Sequence, residues 1–364
     1  MSKTVVNGSK NSEYQGSNFF ERIISFFSKK NKQIDRNLMI DSVLHIPSDA
    51  YEFLPDYAYQ PIRPSKIETP LPIARHETLS EPPQISIVLG SLNRLKLLKL
   101  AIKSVRQNLK DIRGEIIVVE GGSTDGSLEW LIKQKDIITI IQHNRIQKGS
   151  KNIRRRSWGG FMNMGFRAAS GRYIGMISDD CYLLPGSIQA AFDRLVLAEA
   201  TGVKVGACAF YFRDWPEQEK FYVQRTLGGN LMVNHGIYTR EALEAVQYAN
   251  EQDYVFYKAD TDLSLKIWKA GYIIIDSPQS ISEHYVGIGE ELRASNNSII
   301  EYDRSQMRKL WPHLTSKIAV KKMGKVFLKD NVGFDTDKIW GSIYRAECKK
   351  ANRKSRITSA RKTR

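Results

Sequence analysis

Two adjacent carboxylates, Asp179 and Asp180, follow a short apolar segment, Arg172–Ile177, that predicts a buried strand. Pro185 and Gly186 then turn the chain. In open α/β sheets, ligands bind beyond the carboxyl ends of the strands. Mg²⁺ and Mn²⁺ prefer oxygen ligands, usually one or two carboxylates together with phosphate oxygens. The pair therefore predicts either a divalent-cation site or a solvated turn that caps the following helix.

Short apolar segments and helix-length amphipathic segments alternate on both sides of this pair. The predicted strands are Ile85–Leu89, Glu115–Val119, Ile137–Ile141 and Arg172–Ile177, and the predicted helices are Leu95–Asn108, Ser127–Lys135, Ser157–Ser170 and Pro185–Ala200. Such alternation predicts βαβ units and an α/β fold. We expect a mostly parallel central sheet with helices on both faces, because parallel crossovers are right-handed.

Polar loops follow the first two predicted strands, and we expect them to lie at the same sheet edge as Asp179. Loops rich in Gly, Ser and Thr that precede a helix offer backbone N–H groups to phosphate. Glu120, at a strand end, can accept hydrogen bonds from a nucleobase or a ribose. The candidate ligand-binding residues in these loops are Ser91, Asn93, Arg94, Glu120, Ser123 and Asp125. Neither a G-x-G-x-x-G fingerprint nor a P-loop sequence follows the first strand.

Taken in order, these motifs resemble the inverting family 2 glycosyltransferases, which have the GT-A fold. The resemblance spans about residues 84–287 and rests on Ile85–Arg94, Ile116–Ser127, Gly160–Gly186 and Ala259–Tyr272, with His284 behind them. It implies transfer of a sugar, with inversion, from a nucleotide-diphosphate donor. A UDP-sugar is favoured because Glu120 stands where the family usually has an Asp that contacts the base, commonly uracil.

The resemblance also assigns roles to single residues. Asp260 matches the catalytic base, Asp180 matches the last carboxylate of the metal-binding D-x-D motif, and His284 matches a late metal or diphosphate contact. The implied cofactor is Mn²⁺ or Mg²⁺. Besides the loop residues above, Asn163 and Asp179 are candidates for binding the nucleotide sugar. The candidate acceptor-side residues are Gly228, Gly229 and Asp262. Asp260 and Asp262 would alternatively cap the helix that follows them.

Three positions depart from the family pattern. Ser178 occupies the first position of the D-x-D motif, Ala259 stands where a Glu is often found, and Met162 stands where an Arg is common. These departures motivate an alternative function, a nucleotide-sugar-binding or scaffold protein that has lost catalysis.

The charge of the chain motivates a further alternative. The net charge is +16, which favours polyanions, anionic membrane surfaces or phosphate-bearing substrates. About half of this excess lies in residues 349–364, where eight basic residues occur without an acid. Such a block is typical of a solvated, disordered tail. A basic polyanion-binding protein is therefore the third hypothesis, although specific nucleic-acid binding is not expected. The three widely spaced cysteines indicate neither a disulfide framework nor a zinc site.

Composition divides the chain into four predicted parts. Residues 1–83 form a polar, Pro-rich arm with an amphipathic helix near residues 17–30, and residues 84–290 form the GT-A domain. A helical extension (291–348) and the basic tail (349–364) follow. The amphipathic helix would lie in a membrane plane or pack on protein. Without a secretory signal or a membrane-spanning segment, a cytoplasmic location is expected, with peripheral contact to an anionic membrane. A glycan or lipid-linked acceptor would fit polysaccharide biosynthesis.

Overall fold

The computed structural model describes residues 73–74, 83–142, 145–148, 152–287, 299–329 and 332–362. The predicted amphipathic helix near residues 17–30 and almost all of the Pro-rich arm lie outside these ranges. Within them, the predicted α/β class is confirmed, because a central sheet is flanked by helices.

Fourteen strands occur in the described residues, twelve of them in one sheet. They are β1 (Ile73–Ala74), β2 (Ile85–Ser91), β3 (Gly114–Glu120), β4 (Ile137–Ile141), β5 (Arg145–Lys148), β6 (Asn152–Arg155), β7 (Tyr173–Met176), β8 (Cys181–Leu183), β9 (Val205–Trp215), β10 (Tyr222–Arg225), β11 (Leu231–Met232), β12 (Gly236–Thr239), β13 (Ile273–Tyr285) and β14 (Gly324–Phe327). The order in the main sheet is β1-β4-β3-β2-β7-β12-β9-β10-β11. β13 lies between β9 and β8, β14 pairs with β10, and β5 and β6 form a separate hairpin.

The sheet is mixed: the predicted parallel pairing is confirmed for part of it, and antiparallel strands complete it. Parallel pairing is confined to β4-β3-β2-β7 and to β9 with β13. Strands β9, β10 and β11 are joined by connections of only a few residues, and parallel strands need a crossover of about a dozen residues or more. These strands therefore pair antiparallel. β12 enters between β7 and β9 and is antiparallel to both.

Nine α-helices accompany the strands in the described part of the chain. They are α1 (Leu95–Asn108), α2 (Ser127–Leu131), α3 (Trp158–Ala168), α4 (Ser187–Ala200), α5 (Arg240–Ala245), α6 (Ala259–Lys269), α7 (Ile300–Leu310), α8 (Lys317–Lys321) and α9 (Asp337–Lys362). Helix α3 packs on β2 and β3, and α4 packs on β9 and β13. The buried positions of α1, among them Leu97, Leu98, Ala101 and Val105, repeat at helical spacing, as its sequence predicts.

The carboxyl-terminal part of the chain differs from its prediction in two ways. The predicted helical extension also contains a strand, β14, which pairs with β10. The predicted disordered tail is helical through Lys362, because α9 is continuous from Asp337. Trp340 in its first turns is fully buried and packs near Leu97 and Tyr285, and Lys and Arg are good helix formers. None of the helices described is long and apolar enough to cross a membrane.

A close backbone approach at Gly171 yields a stability prediction. A Cβ atom at this position would lie 2.7 Å from the backbone nitrogen of Ser86 and 2.8 Å from the carbonyl carbon of Ile85. We expect Gly171→Ala to lower the free energy of unfolding by about 1–3 kcal/mol, as overpacking does in well-packed interiors. Urea denaturation measures this change.

The matched control is Gly324→Ala, because a Cβ atom there meets no atom within 4 Å. This variant should stay within about 0.5 kcal/mol of the wild type. Equal stability of the two variants would contradict the close approach at Gly171.

Candidate functional site

The loops that follow β2 and β3 are tied to each other at the carboxyl edge of the sheet. The backbone N–H of Asn93 donates to Ser123 Oγ at 2.8 Å, and Asn93 Oδ1 accepts from the backbone N–H of Thr124 at 2.7 Å. Asp125 accepts from the backbone N–H of Leu95 at 2.8 Å and so caps α1. The two loops therefore form one unit. Sequence reasoning selected Asn93, Ser123 and Asp125 for nucleotide binding, and the structure gives each a role in joining the loops.

Glu120 shapes the second of these loops. Its carboxylate is fully buried and accepts from the backbone N–H groups of Gly122 and Ser123, each at 2.8 Å. Gly122 has a φ of 82°, a left-handed conformation that glycine adopts without strain. The carboxylate thus holds its own loop, and its contact with a base stays a prediction.

Arg94 links the loop after β2 to the carboxylate pair after β7. Its Nη1 lies 3.1 Å from Asp179 Oδ1 and 2.6 Å from Asp180 Oδ2. Burial raises the pKa of Asp179, and Asp180 raises it further, while Arg94 opposes both effects. Ser91 is buried at the end of β2. The structure therefore confirms that the strand ends bring Arg94, Asp179 and Asp180 together, as the sheet-edge argument predicts.

His284 lies between two carboxylates. Its Nε2 is 3.3 Å from Asp180 Oδ1, and its Nδ1 is 2.6 Å from Asp214 Oδ1. Burial alone would lower the pKa of His284, but the two carboxylates outweigh it and raise this pKa to about 9. Tyr222 donates to Asp214 Oδ2 at 3.1 Å. Sequence reasoning missed Asp214, because the parallel register of β9 and β13 alone places it opposite His284.

The donor atoms of Asp180 and His284 suit a divalent cation. Adjacent ligands of an octahedral Mg²⁺ or Mn²⁺ ion, each at roughly 2.1 Å, are about 3 Å apart. The observed 3.3 Å between Asp180 Oδ1 and His284 Nε2 is close to this separation. Histidine ligands of metals usually donate their other ring N–H to a carboxylate, and Asp214 occupies that position. Among the described residues no group of three or more His, Cys, Asp or Glu side chains forms a metal site.

Asp260 lies in the first turn of α6 and is half-buried. Its Oδ1 accepts from the backbone N–H of Thr261 at 2.7 Å, and its Oδ2 lies 3.5 Å from Asn234 Nδ2. Burial raises the pKa of Asp260, although the Thr261 N–H and the nearby charge of Lys258 oppose this effect. A carboxylate with a raised pKa accepts a proton more readily, which suits a general base.

A short segment, Asn234–His235, connects Asp260 to the carboxylate pair. Asn234 approaches Asp260, and the next residue, His235, places its Nε2 3.4 Å from the Sγ atom of Cys181. Cys181 directly follows Asp180. Burial lowers the pKa of His235 to about 3 and raises that of Cys181, so this contact joins two neutral groups.

The structure places two predicted binding residues in the interior. Asn163 is fully buried, and its amide bonds the backbone of Ala249 in both directions and donates to Glu251 Oε1 at 2.7 Å. Asp262 accepts from Trp311 Nε1 at 2.7 Å and from the Tyr254 hydroxyl at 3.3 Å. The Asp262 side chain is therefore buried and points to the core, and its acceptor-side role stays a prediction. Asn163 joins helix α3 to residues 249–251, and its contact with the donor stays a prediction.

The predicted acceptor-side glycines form a buried turn. Gly228 and Gly229 have φ angles of 79° and 89°, and a Cβ atom on Gly229 would lie 3.3 Å from Lys322 Cβ. The turn is closed by a hydrogen bond from the Thr226 N–H to the Asn230 carbonyl at 2.7 Å. Its contact with an acceptor stays a prediction.

Comparison with known proteins identifies similarity over the segment that contains Arg94, Asp179 and Asp180. Residues 86–249 match the family model described as glycosyl transferase family 2. The chain is 30% identical over 116 residues to the GalNAc(5)-diNAcBac-PP-undecaprenol beta-1,3-glucosyltransferase of Campylobacter jejuni, covering 31% of this chain and 34% of that protein. It is 29% identical over 180 residues to the uncharacterized glycosyltransferase EpsJ of Bacillus subtilis, covering 48% of this chain and 46% of the relative.

Among solved structures, the chain is similar to S. aureus TarS, with a TM-score of 0.46 and 15% identity. That match covers 66% of this chain and 41% of TarS. The chain spans less than half the length of either curated relative described above. From residue 86 to residue 249, this protein is therefore similar to glycosyl transferase family 2.

Proposed function

We propose that this protein is an inverting glycosyltransferase of the GT-A fold, with its catalytic domain in residues 84–290. It would take a nucleotide-diphosphate sugar, with a UDP-sugar favoured, and transfer the sugar to a glycan or lipid-linked acceptor. The match of residues 86–249 to glycosyl transferase family 2 supports the reaction class. The Campylobacter relative is named after a glycan on PP-undecaprenol, which supports the lipid-linked alternative.

The charged cluster at the end of β7 carries the proposal. Arg94, the carboxylate pair Asp179–Asp180 and His284 form one connected set beside the loops after β2 and β3. The set holds alternating charges at the edge where α/β sheets bind ligands. Arg94 neutralises the carboxylates and so reduces their repulsion of a diphosphate group.

Asp260 would act as the general base. It accepts the proton of the acceptor hydroxyl while that oxygen attacks the anomeric carbon from the face opposite the leaving group. The bond between the anomeric carbon and the diphosphate oxygen breaks, and its electron pair leaves with the diphosphate. Because the attack is direct, the sugar configuration inverts.

Asp180 and His284 would hold the cofactor, with Asp214 fixing the ring of His284 through Nδ1. A bound Mn²⁺ or Mg²⁺ stabilises the negative charge that develops on the leaving diphosphate. Arg94 would keep both carboxylates oriented before the donor arrives. The net charge of +16 supports a further part of the proposal, action at the cytoplasmic face of an anionic membrane.

The role of Asp260 is tested by Asp260→Asn. We expect the rate of sugar transfer to fall by about 10²–10⁴-fold, because an amide cannot accept the proton. The dissociation constant for the nucleotide donor should change little, because Asp260 serves the acceptor. Single-turnover transfer assays with a panel of nucleotide sugars, together with calorimetric donor titrations, measure both quantities.

The control for this test is Asp193→Asn, which alters an exposed carboxylate on α4. Its transfer rate should equal that of the wild type. Wild-type transfer by Asp260→Asn would refute the assigned base. Donor binding by the wild type without transfer to any acceptor would favour the scaffold alternative.

The cofactor assignment predicts a graded loss of metal affinity. His284→Ala removes a ligand, and Asp214→Asn replaces the charged acceptor that orients this ligand by a neutral amide; loss of such an outer partner typically costs about 10–100-fold in metal affinity. We expect a loss in this range for Asp214→Asn and at least as large a loss for His284→Ala. Electron paramagnetic resonance of free Mn²⁺, in the presence of a nucleoside diphosphate, reports the affinity without a turnover assay.

The exposed histidine His313 provides the control, and His313→Ala should bind Mn²⁺ like the wild type. Equal Mn²⁺ affinity of the wild type and His284→Ala would show that His284 is not a ligand.

A further inference from the structure

The carboxylate of Asp303, on α7, is fully buried and holds a loop that lies far from it in sequence. Its Oδ1 accepts from the backbone N–H of Val255 at 2.7 Å. Its Oδ2 accepts from the N–H groups of Phe256 and Tyr257 at 2.9 and 2.7 Å. A buried charge is tolerated when hydrogen bonds satisfy it, and here three consecutive backbone donors do so.

This loop leads directly into the helix that carries Asp260. Lys258 follows the three held residues with a φ of 70°, a left-handed conformation that costs a non-glycine residue about 1–3 kcal/mol. The Lys258 carbonyl then accepts the hydrogen bond from the N–H of Asp262 at 2.8 Å, which begins α6. Such a conformation persists only where the surroundings fix it, and the contacts with Asp303 lie immediately before it.

Helix α7 and the residue that follows it also hold the chain on the carboxyl-terminal side of Asp260. Trp311, which directly follows α7, donates from Nε1 to Asp262 Oδ1 at 2.7 Å. Tyr254 contacts both Asp262 Oδ1, at 3.3 Å, and Met307 Sδ, at 3.7 Å. The backbone is therefore held two residues beyond Asp260 as well as three to five residues before it. We call Asp303 and Trp311 together the α7 clamp.

We infer that Asp303 is a positioning residue that sets the place of the Asp260 carboxylate through the backbone of residues 255–257, with Trp311 as its partner. This inference rests on the proposed function, in which Asp260 is the base. Both residues lie beyond the segment that matches the family model, which ends at residue 249. The part of the chain that follows β13 thereby becomes a component of the catalytic site without touching the substrate.

Asp303→Asn tests the inference, because the amide keeps one acceptor oxygen and places an NH₂ group against backbone donors. Misplacement of a reacting group by about 1 Å costs up to about 10²-fold in rate. We expect kcat to fall by about 10–100-fold, with the donor dissociation constant within about threefold of the wild type. Hydrogen exchange of the amides of residues 255–257 should quicken by about tenfold or more, since their acceptor is weakened.

The matched control is Glu301→Gln on the same helix. Glu301 is exposed and pairs with Arg304 at 2.5 Å, so its variant should retain the wild-type kcat and the wild-type exchange rates. Trp311→Phe is the second clamp variant, for use if Asp303→Asn does not fold. It removes the donor to Asp262 while keeping an aromatic ring, and we expect it to lower kcat by about threefold or more at unchanged donor affinity.

A double-mutant cycle separates positioning from a general structural role. If Asp303 acts through Asp260, the double variant Asp260→Asn/Asp303→Asn should retain the residual rate of Asp260→Asn alone. Additive losses would overturn the inference, as would a parallel loss of kcat, donor affinity and thermal stability. Unchanged exchange at residues 255–257 in Asp303→Asn would also overturn it. A wild-type protein that transfers no sugar would instead overturn the proposed function, while the exchange measurement still tests the clamp.

Discussion

The compensation of buried charge at the carboxyl end of the sheet is the constraint on which the site depends. Asp179, Asp180 and Glu283 are almost wholly buried, and each buried charge needs a partner because desolvation alone would destabilise the fold. Arg94 bridges the first two, and Arg213 forms a bidentate pair with Glu283, with N–O distances of 2.7 to 3.1 Å. Removal of one cation would leave a carboxylate buried without its charge partner.

The register between β9 and β13 decides which charged residues of the two strands lie opposite each other. It sets Arg213 opposite Glu283 and Asp214 opposite His284 on adjacent positions of the two strands. An irregularity between Ser277 and Ile281 shifts the register before the strands reach these residues. Because side chains alternate between the faces of a strand, a slip of one residue would separate all four groups. This shift in β13 therefore sets which residue of β9 lies opposite His284.

The part of the site that sequence predicts is the part formed by contiguous motifs. The turn with Asp179 and Asp180, the loop with Glu120 and the helix start with Asp260 each lie beside a strand or a helix whose periodicity is visible. Asp214 and Asp303 show no such signal, because the first meets His284 through strand register and the second hydrogen-bonds the backbone of a loop that is distant in sequence. Asp262 illustrates the opposite case, since the resemblance makes it an acceptor-side candidate and the helix turns it into the core. The α/β fold class is predicted by the alternation of apolar and amphipathic segments. The antiparallel pairing of β9, β10 and β11 results from short connections, which hydrophobic periodicity does not reveal.

Strand β13 also covers an edge. It pairs along nearly the whole length of β9, whose residues from Val205 to Phe212 are buried. A fragment that stopped at residue 249, where the family match ends, would lose this partner and expose the backbone donors and acceptors of a long apolar strand. Exposed edges of this kind recruit strands from other molecules. Such a fragment would keep the loops after β2 and β3, and its exposed β9 edge would favour self-association.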